Sequence, residues 1–144
     1  ESLHVLYQKR LEYVCLLPED HPLAKSSRPI DLKTLKEAEC VAYDTARLQS
    51  AESNWMKLLS WPQASLSAYS NIAVASLSRA AGKPANVDPY TARTMAALGG
   101  VTSRPISQRL TSTLYVVARG IDTLSLAARE LADAVITQLK QSVH

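Results

Sequence analysis

The chain has 144 residues, 47% of them hydrophobic and 20% charged, with a formal net charge of +3. That length suits one ordinary domain with a sizeable core, and the even mixture of residue types excludes a disordered or low-complexity chain. The Lys and Arg residues are scattered, with no basic block carrying interleaved aromatics, which excludes a dedicated nucleic-acid surface.

The opening stretch ESLHVLYQKRLEYVCLL interrupts its apolar residues with His4, Gln8, Lys9, Arg10 and Glu12, so it fits no secretory signal. Residues 11–17 form a short apolar run stopped by Pro18, the pattern of a buried strand. The proline-rich stretch PEDHPLAKSSRPI reads as a loop, with His21 holding it by a hydrogen bond. Asp31 is placed to cap a short helix through Leu35, and residues 39–43 (ECVAY) read as a second strand. Beyond a DTAR loop, Leu48, Ala51, Trp55 and Leu58 recur at helical spacing up to Trp61-Pro62. Residues 64–69 are a weak third strand.

Ser70 then caps a helix with Ala73, Leu77 and Ala80 on its apolar stripe, closed by Gly82 with Pro84 two residues on. Residues 84–87 make a very short fourth strand. Asp88-Pro89 opens the next helix, with proline at the first helical position, where its missing amide costs nothing. That helix stops at Gly99-Gly100. VTSRPI and TSTLYVVAR read as two further strands, and Asp122 opens the longest helix, with Leu124, Ala128, Leu131, Val135 and Leu139 as its stripe. Strands alternating with helices of about ten residues predict an α/β fold, a mostly parallel sheet flanked by helices on both faces.

Open α/β sheets bind ligands where strand ends lead into helix starts. Three corners qualify: Tyr43-Asp44-Thr45, Ser70-Asn71 and Asp88-Pro89-Tyr90-Thr91. The candidate ligand-binding residues are therefore Asp44, Thr45, Ser70, Asn71, Asp88, Tyr90 and Thr91, with the positive end of the Ser70 helix offered to an anion. Plain capping by Ser70 and Asp88 is the competing reading. Cys15 and Cys40 each sit in an apolar run and read as buried, reduced thiols. No CxxC pair, Cys/His cluster, GxSxG or glycine-rich phosphate loop occurs, so neither a metal, a cofactor nor an enzyme is expected. No run of about 18 apolar residues occurs, which points away from a spanning helix and toward a cytoplasmic chain.

From residue 11 to 43 the segments LEYVCLL, PEDHPLAK, RPIDLKTL and ECVAYD resemble the effector-binding region of LysR-type transcriptional regulators. In that family a P-x-x-H-P-L-A turn is followed by P-I-x-L-x-x-L between two strands. YSNIAVASLSRAAGKPANVDPYTA is similar to the helix, glycine and strand that follow, its V-D-P-Y-T-A form resembling members that sense amino acids or opines. Gly82-Lys83-Pro84 departs from the Gly-x-Gly turn of many relatives. RPISQRLTSTLYVVARG resembles the crossing back to the first subdomain.

The resemblance implies a type-2 periplasmic-binding-protein-like fold. Residues 1–106 would be the second effector-binding subdomain with the first crossover strand. Residues 107–144 would be the returning strand and C-terminal helix of the first subdomain. It also implies a C-terminal fragment that binds a small anionic or amino-acid-like metabolite and is non-enzymatic. The expected partners are that effector, promoter DNA only through an N-terminal domain absent from this sequence, further copies of the chain in a homo-oligomer, and no membrane. The first rival on the same fold is the solute-binding protein of a transporter, and the second is an enzyme built on that fold.

Overall fold

The structure is a computed structural model that describes residues 3–43, 64–120, 122 and 124–141. The helix expected over residues 48–58 lies outside the described residues, as do Asp44 and Thr45. The chain forms two compact units, a larger one of Glu12–Ser112 and a smaller one of Glu1–Leu11 with Thr113–His144.

The larger unit is built around strand β2 (Val14–Pro18), preceded by β1 (Leu3–Glu12). β2 pairs antiparallel with β5 (Ala85–Val87) on one side and β6 (Val101–Pro105) on the other. β3 (Ala42–Tyr43) pairs parallel with β4 (Ser67–Ala68), and a parallel bridge between Val41 and Ala85 links that pair to β5. β3 to β6 thus run one way and β2 runs against them. The α/β fold is the expected one, and the sheet is mixed: β3 to β6 share one direction, while the ladders that β2 makes with β5 and β6 are antiparallel. Helical crossovers keep β4, β5 and β6 parallel to one another, whereas β2 enters ahead of them and takes the central slot.

Helix α1 (Leu32–Glu37) and a 3-10 turn (Pro22–Lys25) belong to one face of this sheet; α2 (Asn71–Ala81) and α3 (Pro89–Ala97) belong to the other. The alternation along β2 sorts the core. Leu16 faces Val74, Ala75, Ala92 and Met95 of α2 and α3, with Val14 packed at the edge. Cys15 and Leu17 face Ala24, Ile30, Leu35 and Cys40. A strand covered on both sides has no polar face, which is why residues 14–17 read as a continuous apolar run. Fully burying a leucine such as Leu16, Leu17 or Leu35 contributes about 1.5–3 kcal/mol each.

Local signals hold well here. The Asp31 carboxylate accepts from the Lys33 N–H at 2.7 Å, and His21 Nδ1 accepts from the Leu23 N–H at 3.2 Å, closing the loop as expected. Gly82 ends α2 at φ 67°, the left-handed conformation that glycine reaches without a Cβ penalty. Arg104 ties the 3-10 turn down, its guanidinium donating to the carbonyls of Ser26 and Ala24 at 2.7 and 2.6 Å.

Two expectations shift. Residues 39–43 contribute only a two-residue strand, since Glu39 turns through φ 51° ahead of it. The fully buried residues of α2 are Val74, Ala75 and Ser78; of the expected stripe, Leu77 packs partly buried against the same core, Ala73 is half-buried and Ala80 is exposed. Ser78 is tolerated there because its hydroxyl donates to the Lys83 carbonyl at 2.6 Å.

The smaller unit pairs β1 with β7 (Thr111–Arg119) and carries the long helix α4 (Leu126–Gln141). Ser125, not Asp122, starts this helix: its hydroxyl accepts from the Ala128 N–H and its carbonyl from the Arg129 N–H. No described residue of α4 is buried. Its half-buried line is Ala128, Ala132, Ile136 and Leu139, while Leu131 and Val135 of the expected stripe are 67% and 41% exposed.

Candidate functional site

The starts of α2 and α3 carry a connected polar network. Ser70 Oγ accepts from the Ala73 N–H at 3.2 Å, and the Ser70 carbonyl accepts from the Val74 N–H. Asp88 Oδ1 accepts from the N–H groups of Tyr90 and Thr91 at 2.9 and 3.0 Å. Its Oδ2 accepts from the Thr91 hydroxyl at 2.6 Å, and its carbonyl takes the Ala92 N–H. The two helix starts meet where the Asp88 N–H donates to Asn71 Oδ1 at 3.4 Å.

Two tyrosines close on this junction. Tyr13, buried in the short gap between β1 and β2, hydrogen-bonds through its hydroxyl with the side chains of Asn71 and Ser112. Tyr43, half-buried at the end of β3, receives the Asn71 N–H. Burial raises both phenol pKa values, and the negative charge of Asp88 pushes them further the same way. Both hydroxyls therefore stay protonated and neutral at physiological pH, each able to donate and to accept.

Of the residues expected from sequence, Asn71 and Asp88 are brought together. Ser70 is exposed and Thr91 buried, and both serve as helix caps or cap partners. Tyr90 is half-buried beside them, with the Arg93 guanidinium 5.9 Å from its ring centroid. Sequence reasoning missed Tyr13 and Ser112 entirely. The available signal was one polar-tipped residue inside an otherwise apolar strand run, and it pointed to a core position. Away from this network, Cys15 and Cys40 are buried and free, and burial pushes the Cys40 thiol up to about 12. Among the described residues no His, Cys, Asp and Glu group could hold a metal ion.

The profile of the LysR substrate binding domain matches residues 2–140, nearly the whole chain. The chain belongs to that family. Solved structures carry the same fold. The effector binding domain of QuiR in complex with shikimate aligns at a TM-score of 0.61 and 17% identity, over 91% of this chain and 62% of that one. The Synechocystis CcmR regulatory domain in complex with 2-PG aligns at 0.60 and 17%, over 94% and 65%. The regulatory domain of MetR, a LysR family regulator from N. meningitidis, aligns at 0.55 and 22%, over 92% and 61%. The chain thus spans less than two thirds of each of these domains. A search of curated protein sequences returns no significant match. No helix among the described residues is long and apolar enough to cross a membrane.

Proposed function

We propose that this chain is the effector-sensing part of a LysR-type transcriptional regulator, and that its larger unit supplies one wall of a small-molecule site. The observation that carries this is the junction of Tyr13, Tyr43, Asn71, Asp88 and Ser112. Five separate segments deliver polar groups to one half-buried place at two helix starts, in a domain of the LysR substrate-binding family. The ends of strands leading into helices are where such sheets bind ligands. Tyr90 stands at the edge of that wall, while Ser70 and Thr91 support it by capping. The regulator acts in the cytoplasm as a homo-oligomer, performs no turnover and reaches promoter DNA through a part outside this chain.

A thermal-shift screen of small metabolites tests the wall directly. A ligand that stabilises the chain should lose most of its effect in Asn71→Ala, because that substitution removes the side chain joining Tyr13 to Asp88. Equal stabilisation of wild type and variant would place the ligand elsewhere. The chain alone should also show no sequence-selective retention of promoter fragments at physiological salt, since reading base edges needs a dedicated groove-binding element.

A further inference from the structure

Helix starts attract anions because their first amides lack partners, yet here those amides are already satisfied. In α3, Pro89 has no N–H, the amides of Tyr90 and Thr91 go to the Asp88 carboxylate, and that of Ala92 goes to the Asp88 carbonyl. In α2, the Asn71 amide meets the Tyr43 hydroxyl, and those of Ala73 and Val74 meet Ser70. At most the Ile72 amide is left for a ligand. An incoming carboxylate finds few free backbone amides on this wall and the negative charge of Asp88 beside them.

The same geometry favours a cation. A carboxylate offers about four acceptor positions, and Asp88 uses three, for the Tyr90 amide, the Thr91 amide and the Thr91 hydroxyl. One remains on a half-buried anion. The hydroxyl oxygens of Tyr43 and Ser112 stand round the same junction as further acceptors, and none of Tyr13, Tyr43, Asn71, Asp88 and Ser112 is a Lys or Arg. We propose, on the basis of the effector-site reading above, that this wall takes the ammonium group of a zwitterionic effector and not its carboxylate. Three N–H donors on one cation match one carboxylate position plus neighbouring hydroxyl oxygens, and hydrogen bonds between ionised partners are the strong ones.

The test is an NMR titration of the 144-residue chain with the common L-amino acids, each beside the carboxylic acid that lacks its amino group. Concentration and ionic strength are matched. At least one amino acid should shift the Asn71, Tyr90 and Thr91 amides and the Asp88 carboxyl carbon, and its deaminated twin should bind at least about tenfold more weakly. Asp88→Asn, which remains a good cap, should keep the folded spectrum and lose that response. Deaminated acids that bind as tightly as their amino acids, with the Asp88→Asn response intact, would overturn the ammonium assignment and leave the site standing. If no probe moves any of these resonances, the assignment and the site reading both fall.

Discussion

The two units use their apolar residues in opposite ways. In the larger unit, β2 is covered on both faces, so Leu16 and Leu17 are wholly buried and each belongs to its own cluster. In the smaller unit, β1 and β7 form a two-stranded sheet, α4 has no buried residue, and Leu3, Val5, Tyr115, Val117 and Leu131 are all about half exposed or more. A two-stranded ribbon is marginal in water, and three or more strands with a covered face are needed for independent stability. The comparison teaches that stability and the candidate site reside together in the larger unit, while the smaller unit presents apolar surface of the kind that seeks a partner.

The largest test of this contrast is Leu16→Ala. Removing a fully buried side chain beneath α2 and α3 should cost about 2–5 kcal/mol in urea unfolding. A loss under about 1 kcal/mol would mean that this core is not what holds the chain together.

Alkaline pH attacks the same unit. The thiols of Cys15 and Cys40 and the phenols of Tyr13 and Tyr43 all have raised pKa values, burial being the first cause in each. Unfolded thiols begin to lose protons near about pH 8.5, while the folded ones keep theirs, Cys40 to about 12. The folded state then holds more protons than the unfolded one, so stability falls as pH rises through that window. The urea midpoint should be level from about pH 7 to 8 and decline above about 9. A flat profile throughout would contradict the buried, protonated state of these groups.

Gly82→Ala should cost about 1–2 kcal/mol from the left-handed backbone alone, because a Cβ there meets nothing within 4 Å. An unchanged melting temperature would show that the end of α2 rearranges freely. Asp88→Ala, which removes the acceptor for two amides of α3, should cost about 1 kcal/mol, with Asp88→Asn much closer to wild type.

The smallest effect is expected in the smaller unit. Leu131→Gln, at a position 67% exposed, should leave stability within about 0.5 kcal/mol and reduce self-association in light scattering. A loss comparable to that of Leu16→Ala would erase the distinction between the units.

What the sequence determined by itself was whatever depends on residues two to four apart. Asp31, Ser70 and Asp88 cap the helices assigned to them, Gly82 ends α2, and His21 closes its loop, because each bond joins near neighbours along the chain. The family too was legible, in the spacing of the turn PEDHPLAK and the segment RPIDLKTL. Tertiary structure decided the rest. α2 carries mostly small residues, so its periodicity left the buried face ambiguous until the sheet selected Val74, Ala75 and Ser78. The direction of β2 depended on partners about 70 to 90 residues away in sequence. Tyr13 and Ser112 are 99 positions apart, and Tyr13 meets Ser112 and Asn71 only once the strands are in place. No local pattern encodes that meeting, and it is the meeting that turns two capped helix starts into a candidate site.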